Sequence, residues 1–184
     1  VLWNAAVDFE NKNFMRLPAF ILRHLQAKAE KITRRAPNKV IGTDYLTRWY
    51  IIPRNRLFNV YLHQVCGDDP DINLHDHPWI FNSSVVLRGR ILEEMPDSER
   101  ILETGSFTTR AGRAPHRLLL KTPDSLTLFL TGPKIRKWGF YTPTGWVNSK
   151  VYLPANGNGR KVTALHAVPR NTNVPVADDK KRTA

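Results

Sequence analysis

The sequence predicts a mainly β domain, a sandwich or small barrel, and three observations carry that expectation. From Tyr45 onward the chain breaks into short β-rich runs, eight or nine of them. The breaks carry turn chemistry: Pro53-Arg54-Asn55, Gly67 to Pro70, Arg88-Gly89, Ala111-Gly112, Thr122-Pro123-Asp124, Gly132-Pro133 and Pro143-Thr144-Gly145. Nothing between these runs has a helical period. Strands at such spacing are those of a sandwich or barrel.

Taken in order, residues 11–35 read as an amphipathic helix. Phe14, Leu17, Ile21, Leu25 and Ile32 form one apolar stripe, while Arg16, Arg23, Lys31, Arg34 and Arg35 lie mostly off it. Pro18 is tolerated only near a helix start, so the helix begins around Leu17, and Ala36-Pro37-Asn38 ends it. The expected strands are Tyr45–Ile52, Leu57–Val65, His75–Leu87, Arg90–Met95, Ser106–Thr109, Arg117–Lys121, Leu126–Thr131, Trp138–Tyr141 and Trp146–Leu153. From Pro154 the text turns polar, with scattered Pro and Asn, and ends in Asp178-Asp179-Lys180-Lys181-Arg182. Such a segment buries too little to order itself and is expected to be extended or disordered. The division is a basic helical extension over 1–44, a barrel over 45–153 and a basic tail over 154–184.

At 184 residues the chain suits one well-buried domain with extensions. No apolar stretch is long enough to span a bilayer, so no membrane role is expected. Cys66 has no second cysteine to pair with, which fits a reducing, intracellular compartment, and it reads as a small apolar residue. The net charge of +12 is unevenly spread. Residues 1–44 hold eight basic and four acidic side chains, and 156–184 hold six and two. Excess charge in the flanks suggests an anionic partner, RNA or an acidic protein surface.

The most informative residues are His75-Asp76-His77, in Asn73-Leu74-His75-Asp76-His77-Pro78-Trp79. On an extended strand, residues i and i+2 point to one face, so both imidazoles can converge on a metal ion. His116, in Ala114-Pro115-His116-Arg117, opens another apolar run and supplies a third. Other motifs fail. The acidic loop Asp69 to Asn73 echoes a calcium loop, but Leu74 stands where glycine is required and Ile80 where the bidentate Glu belongs.

The string from Tyr61-Leu62-His63 through Leu74-His75-Asp76-His77-Pro78-Trp79, Leu87-Arg88-Gly89, Pro115-His116-Arg117, Leu128 to Pro133, Trp138-Gly139-Phe140 and Gly145-Trp146 resembles the cupin superfamily. Within it the string is similar to an uncharacterised cupin-like group of bacteria and phages. The resemblance covers about residues 45–152 and implies a double-stranded β-helix, or jelly-roll barrel. It implies His75, His77 and His116 as metal ligands. The glutamate of the first cupin motif is replaced by Asn82, a poor ligand for a transition metal, and Gly89 stands at the motif's glycine. His116 follows Gly112 with a spacing one residue longer than the usual second motif.

Three-histidine cupins include thiol dioxygenases that bind Fe(II), so the resemblance permits oxygenase chemistry. Neutral imidazoles suit Fe, Zn, Ni or Cu alike, and the resemblance favours Fe(II) among them. His63 is either an outer partner of a ligand or a packed barrel residue. One of Glu93 and Glu94 points inward, as a fourth ligand, a base or a plain ion-pair partner. Arg117, Arg136 and Lys137 are candidate anchors for a small anionic substrate, with outward-facing ion pairs as the alternative. Trp79, Trp138 and Trp146 are expected to fill the barrel ends. The two resulting readings are a metal-dependent, Fe(II)-type dioxygenase and a non-catalytic basic subunit of a larger assembly such as an RNA–protein particle.

Overall fold

Strand alternation explains the layers. In the computed structural model, which describes residues 15–43 and 45–155, thirteen strands and two helices follow one another as below. Strand β1 (Met15–Arg16) precedes helix α1 (Ala19–Thr33). Then come β2 (Lys39–Ile41), β3 (Leu46–Tyr50), β4 (Asn59–Val65) and β5 (Leu74–His75). Strands β6 (Phe81–Arg88) and β7 (Arg90–Met95), joined by a one-residue turn but lying in different sheets, lead to β8 (Ser98–Glu103) and β9 (Ser106–Ala111). The chain continues through β10 (Arg117–Leu120), β11 (Ser125–Thr131), β12 (Gly139–Thr142) and β13 (Gly145–Asn148) to α2 (Ser149–Ala155).

A seven-stranded sheet runs in the order β1-β9-β6-β11-β4-β3-β2, with every pair antiparallel. Two three-stranded sheets, β10-β7-β8 and β13-β12-β5, form the other wall. Neighbours far apart in sequence, such as β4 with β11 and β7 with β10, give the jelly-roll connectivity. The fold is a cupin-type double-stranded β-helix.

One face of the large sheet is apolar and lies under α1. Trp49, Leu62, Val85, Leu87 and Leu126 pack there with Ala29, and Leu17, Leu22, Leu25 and Ile32 cover them. Each such leucine contributes about 1.5–3 kcal/mol when fully buried. Two polar ties fix the helix. Gln26 Nε2 donates to the Leu87 carbonyl at 2.6 Å, and Trp49 Nε1 to the Arg35 carbonyl at 3.0 Å. A second cluster, Leu46, Val65 and Ile91 with Ile41, Tyr45, Leu118 and Leu120, joins the two walls. Gly89 makes the β6–β7 turn at φ +88°, where an added Cβ would stand 2.5 Å from the Asp124 carbonyl oxygen.

Several expectations need correction. The stripe of α1 runs through Leu22, Leu25, Ala29 and Ile32, whereas Ile21 is exposed. Three consecutive apolar residues, Phe20-Ile21-Leu22, leave the helical phase ambiguous by one residue. The run His75–Leu87 is not one strand, because Asp76 to Ile80 leave the sheet around Pro78. Ser98–Glu103 is a strand despite its polar text, and Trp146–Leu153 divides into β13 and α2. Cys66 is exposed rather than packed. The tail from Asn156 onward and Phe14 of the stripe lie outside the described residues. No described helix is long and apolar enough to cross a membrane.

Candidate metal centre

The three histidines meet where the two small sheets abut. His75 ends β5, pairs with Phe140 of β12, and exchanges both backbone hydrogen bonds with His116, N to O, at 3.0 Å each. His77 follows where the chain leaves the sheet, its N–H bonded to the Gly112 carbonyl at 2.7 Å. Gly112 N–H in turn reaches the Ile80 carbonyl at 3.1 Å. A Cβ on Gly112 would lie 1.6 Å from the Trp79 carbonyl oxygen, so only glycine lets the second motif come this close to the first.

The ligand nitrogens of His75, His77 and His116 lie within 4.8 Å of one another. His77 Nε2 and His116 Nε2 are 2.9 Å apart. Two nitrogens bound to one ion at about 2.0–2.1 Å with angles of 90–109° stand about 2.8–3.4 Å apart, so the spacing fits a shared metal.

A carboxylate orients one of the rings from behind, and a second lies beside another. Glu93, fully buried on β7, places Oε1 2.6 Å from His116 Nδ1. Arg110 Nη2 and Arg100 Nε reach the same carboxylate at 2.7 Å each. Arg110 Nη1 also lies 2.5 Å from His116 Nδ1, and one nitrogen cannot donate to Glu93 and accept from Arg110 at once. Burial raises the Glu93 pKa, but the bond from His116 and the two guanidiniums outweigh it and hold the carboxyl down at about 2. The anion needs the Nδ1 proton, which leaves the Nε2 lone pair turned toward His77, with Arg110 Nη1 3.2 Å away as a competing donor to it. His75 Nδ1 lies 3.2 Å from Asp69 Oδ2, close enough for an electrostatic contact but without hydrogen-bond geometry. Glu93 is thus the inward residue of the Glu93–Glu94 pair and the ion-pair partner of His116, Arg100 and Arg110, and Asp69 is a neighbour of His75 that sequence reasoning missed.

Burial, then the neighbouring His116 and His75 and the charges of Arg110 and Arg48, keep His77 well below its usual pKa. His116 is pushed down to about 3, by burial first and by Arg110 next, against the pull of Glu93. His63 is lowered by burial and by Arg48. All three are neutral at pH 7. A base whose folded pKa is depressed binds protons more readily unfolded, so its contribution is intact above about pH 6.5 and lost as pH falls below it. Glu93 acts in the same direction below its ordinary 4.5. Urea unfolding of the metal-free protein is expected to show stability declining from pH 6.5 to pH 4. A flat profile over that range counts against the buried neutral histidines.

Between the two ligands, Asp76 points the other way and is fully buried. It accepts from Gly139 N–H at 2.8 Å and Trp146 Nε1 at 3.2 Å, and pairs with Arg136 Nη2 at 2.7 Å. This one carboxylate latches residues 136–146 onto the His-x-His segment. Asp76→Ala is expected to cost about 2–3 kcal/mol in chemical denaturation, because Arg136 and Trp146 can turn toward solvent once released. An unchanged midpoint would remove the latch.

The other candidates fall as follows. Asn82 is fully buried, and its Oδ1 and Nδ2 have no hydrogen-bond partner among the described residues, nor does Oγ1 of its cross-strand neighbour Thr131. These three atoms offer hydrogen bonds to an occupant of the interior, at the place where the first cupin motif carries a carboxylate. His63 lies outside the triad and accepts from Arg48 Nε at 2.8 Å, stacked between Tyr61 and Phe129. Arg117 is spent on Glu94 and Arg136 on Asp76, with a further bond from Arg136 Nη1 to the His77 carbonyl at 3.1 Å. Of the tryptophans, Trp79 stacks on His77 and Trp138 meets His75 edge-on, while Trp146 is exposed. They border the histidines rather than fill barrel ends.

No protein-family model matches this chain, and no curated protein matches it. Among solved structures it is similar to an uncharacterized conserved protein with a double-stranded β-helix domain from Klebsiella pneumoniae. The TM-score is 0.47 at 11% identity, covering 61% of this chain and 92% of that one. It is also similar to hydroxypropylphosphonic acid epoxidase from S. wedmorenis, with TM-score 0.44, 19% identity and coverage of 52% and 55%. An HTH_3 family transcriptional regulator from Vibrio cholerae gives 0.43, 10%, 56% and 58%. The chain spans little more than half the length of the last two. The fold assignment stands on the strand order and registers given above.

Proposed function

We propose that this chain is a cupin-type metalloprotein whose His75, His77 and His116 hold one divalent first-row ion, Fe(II) by preference, and that it oxidises a small anionic substrate. The observation that carries the reading is the convergence of three imidazoles on one point, with the Glu93 carboxylate bonded behind His116. The donor set fits. Three nitrogens with no carboxylate suit Fe, Zn, Ni or Cu, and three protein ligands leave positions for substrate and for O2 or water.

When bound, Fe(II) would supply O2 activation; the remaining work belongs to the chain's own residues. Glu93 fixes the tautomer and ring plane of His116, and Asp69 places a negative charge beside His75. Trp79, Trp138 and Phe140 surround the rings with apolar surface and limit water around them. Asn82 and Thr131 present hydrogen-bonding groups to whatever lies in the interior.

Metal-depleted protein loaded separately with Fe(II), Zn(II), Ni(II) and Cu(II) tests the proposal by elemental analysis. One equivalent per chain is expected, and the Fe(II) form should consume O2 when offered small carboxylates or phosphates. Failure to retain any of the four metals overturns the metal reading. Metal retention without O2 uptake overturns the oxygenase reading alone.

A further inference from the structure

The barrel wall carries a second polar cluster that the metal centre does not use. Alternation along β3 sends Trp49 into the core under α1, and therefore turns Arg48 and Tyr50 toward the interior. Arg48 is the cross-strand partner of His63 on β4 and of Lys39 on β2. Its Nε donates to His63 Nε2 at 2.8 Å, and its guanidinium carbon sits 4.7 Å from the centre of the Tyr61 ring. Arg54 lies 5.7 Å over the Tyr50 ring, and the two tyrosine rings are 5.5 Å apart.

Three cations, Lys39, Arg48 and Arg54, therefore gather around two tyrosines. Lys39 and Arg54 stand at the solvent edge with Arg48 half-buried behind them. No carboxylate pairs with any of the three among the described residues. Elsewhere in the barrel Arg88, Arg90, Arg100, Arg110, Arg117 and Arg136 each meet an Asp or Glu, and Arg56 and Arg113, which do not, are exposed where Arg48 is half-buried. A half-buried guanidinium without a counter-charge is costly, and its planar fork matches an oxyanion.

The cluster also faces the histidines. Phe129 packs 5.1 Å from His63 on one side and 6.1 Å from His77 on the other, and so stands between Arg48 and the triad. We propose that Arg48, with Lys39 and Arg54 widening the positive field, anchors the oxyanion of a small carboxylate- or phosphate-bearing substrate, whose remainder extends past Phe129 toward His75, His77 and His116. His63, held neutral, positions the Arg48 fork by accepting its Nε proton. The inference rests on the proposed metal chemistry for its purpose, but oxyanion binding itself does not require the metal.

The test uses metal-free full-length protein titrated with inorganic phosphate and, separately, with acetate, following the Arg48 Nε–H resonance by NMR. A saturable shift with at least one probe is expected, and the probe that binds identifies the class of anion. Arg48→Gln should weaken that binding at least ~10-fold through loss of a charge-assisted hydrogen bond. Lys39→Gln together with Arg54→Gln, at exposed positions that tolerate substitution, should weaken it about 3-fold and carries the test if Arg48→Gln does not fold. His77→Ala should bind the probe as the parent does, so that failure of the metal reading and failure of this one are separable. The absence of a saturable shift with either probe up to about 50 mM overturns the proposal, since screening alone acts beyond that range. Equal binding by both substituted proteins overturns it as well.

Discussion

Replacing Glu93 by alanine is expected to destabilise the protein by about 3–5 kcal/mol, the largest effect of any single substitution considered. The carboxylate is fully buried and receives Arg100, Arg110 and His116 at 2.6–2.7 Å. Removing it strands the Arg110 guanidinium, only 10% exposed, with no compensating charge. Arg100 can swing outward, its side chain being 27% exposed, so most of the cost comes from Arg110. Glu93→Gln keeps the volume and one acceptor oxygen, and should lose about half as much. Guanidinium chloride unfolding at pH 7 measures both. Should Glu93→Ala unfold at the parent's midpoint, the buried network contributes nothing, and the orientation of His116 must come from packing alone.

Those contacts also show where sequence reading stopped. The imidazole pair was legible because alternation along extended chain turns His75 and His77 to one side, although only His75 lies within a strand, and the motif resemblance added His116. The inward turn of one of Glu93 and Glu94 was legible by the same alternation. Its partners were not, because they depend on the β7–β8 register that pairs Glu93 with Arg100, and β8 reads as polar loop text. Asp69 escaped notice because the loop that carries it was weighed only as a calcium site. Its contact with His75 is made in space, across a loop whose path nothing local dictates.

The arginines illustrate the same limit. Arg117 and Arg136 attracted attention through their nearness in sequence to His116 and Trp138, yet each ends on a carboxylate. Arg48 gave no signal, since a basic residue on a strand reads as solvent-facing by default. Only the three-stranded registers of β2, β3 and β4 place it beside His63 and Lys39. Barrel and ligands follow from local period and turn chemistry, whereas charge pairing follows from topology.

Topology likewise decides what the loss of one ligand does. His77→Ala removes one of three nitrogens from the centre, and metal affinity is expected to fall by more than ~100-fold. The floor comes from outer partners, whose removal alone typically lowers affinity 10–100-fold. His77 is held by backbone, with its N–H on the Gly112 carbonyl and its own carbonyl bonded to Arg136, so the alanine variant should keep the segment in place. The loss is then one of ligation rather than folding. With metal at about 1,000 times the parent's Kd, the parent gains about 4 kcal/mol of stability, whereas a variant that binds at least ~100-fold more weakly gains no more than about 1.4 kcal/mol. Thermal unfolding with and without metal, read beside elemental analysis, separates these cases. His63→Gln serves as the control, since His63 stands outside the triad and bonds to Arg48. If His77→Ala retains a full equivalent of metal while His63→Gln loses it, the centre has been drawn around the wrong residues, and the ion belongs on the Arg48 side of Phe129.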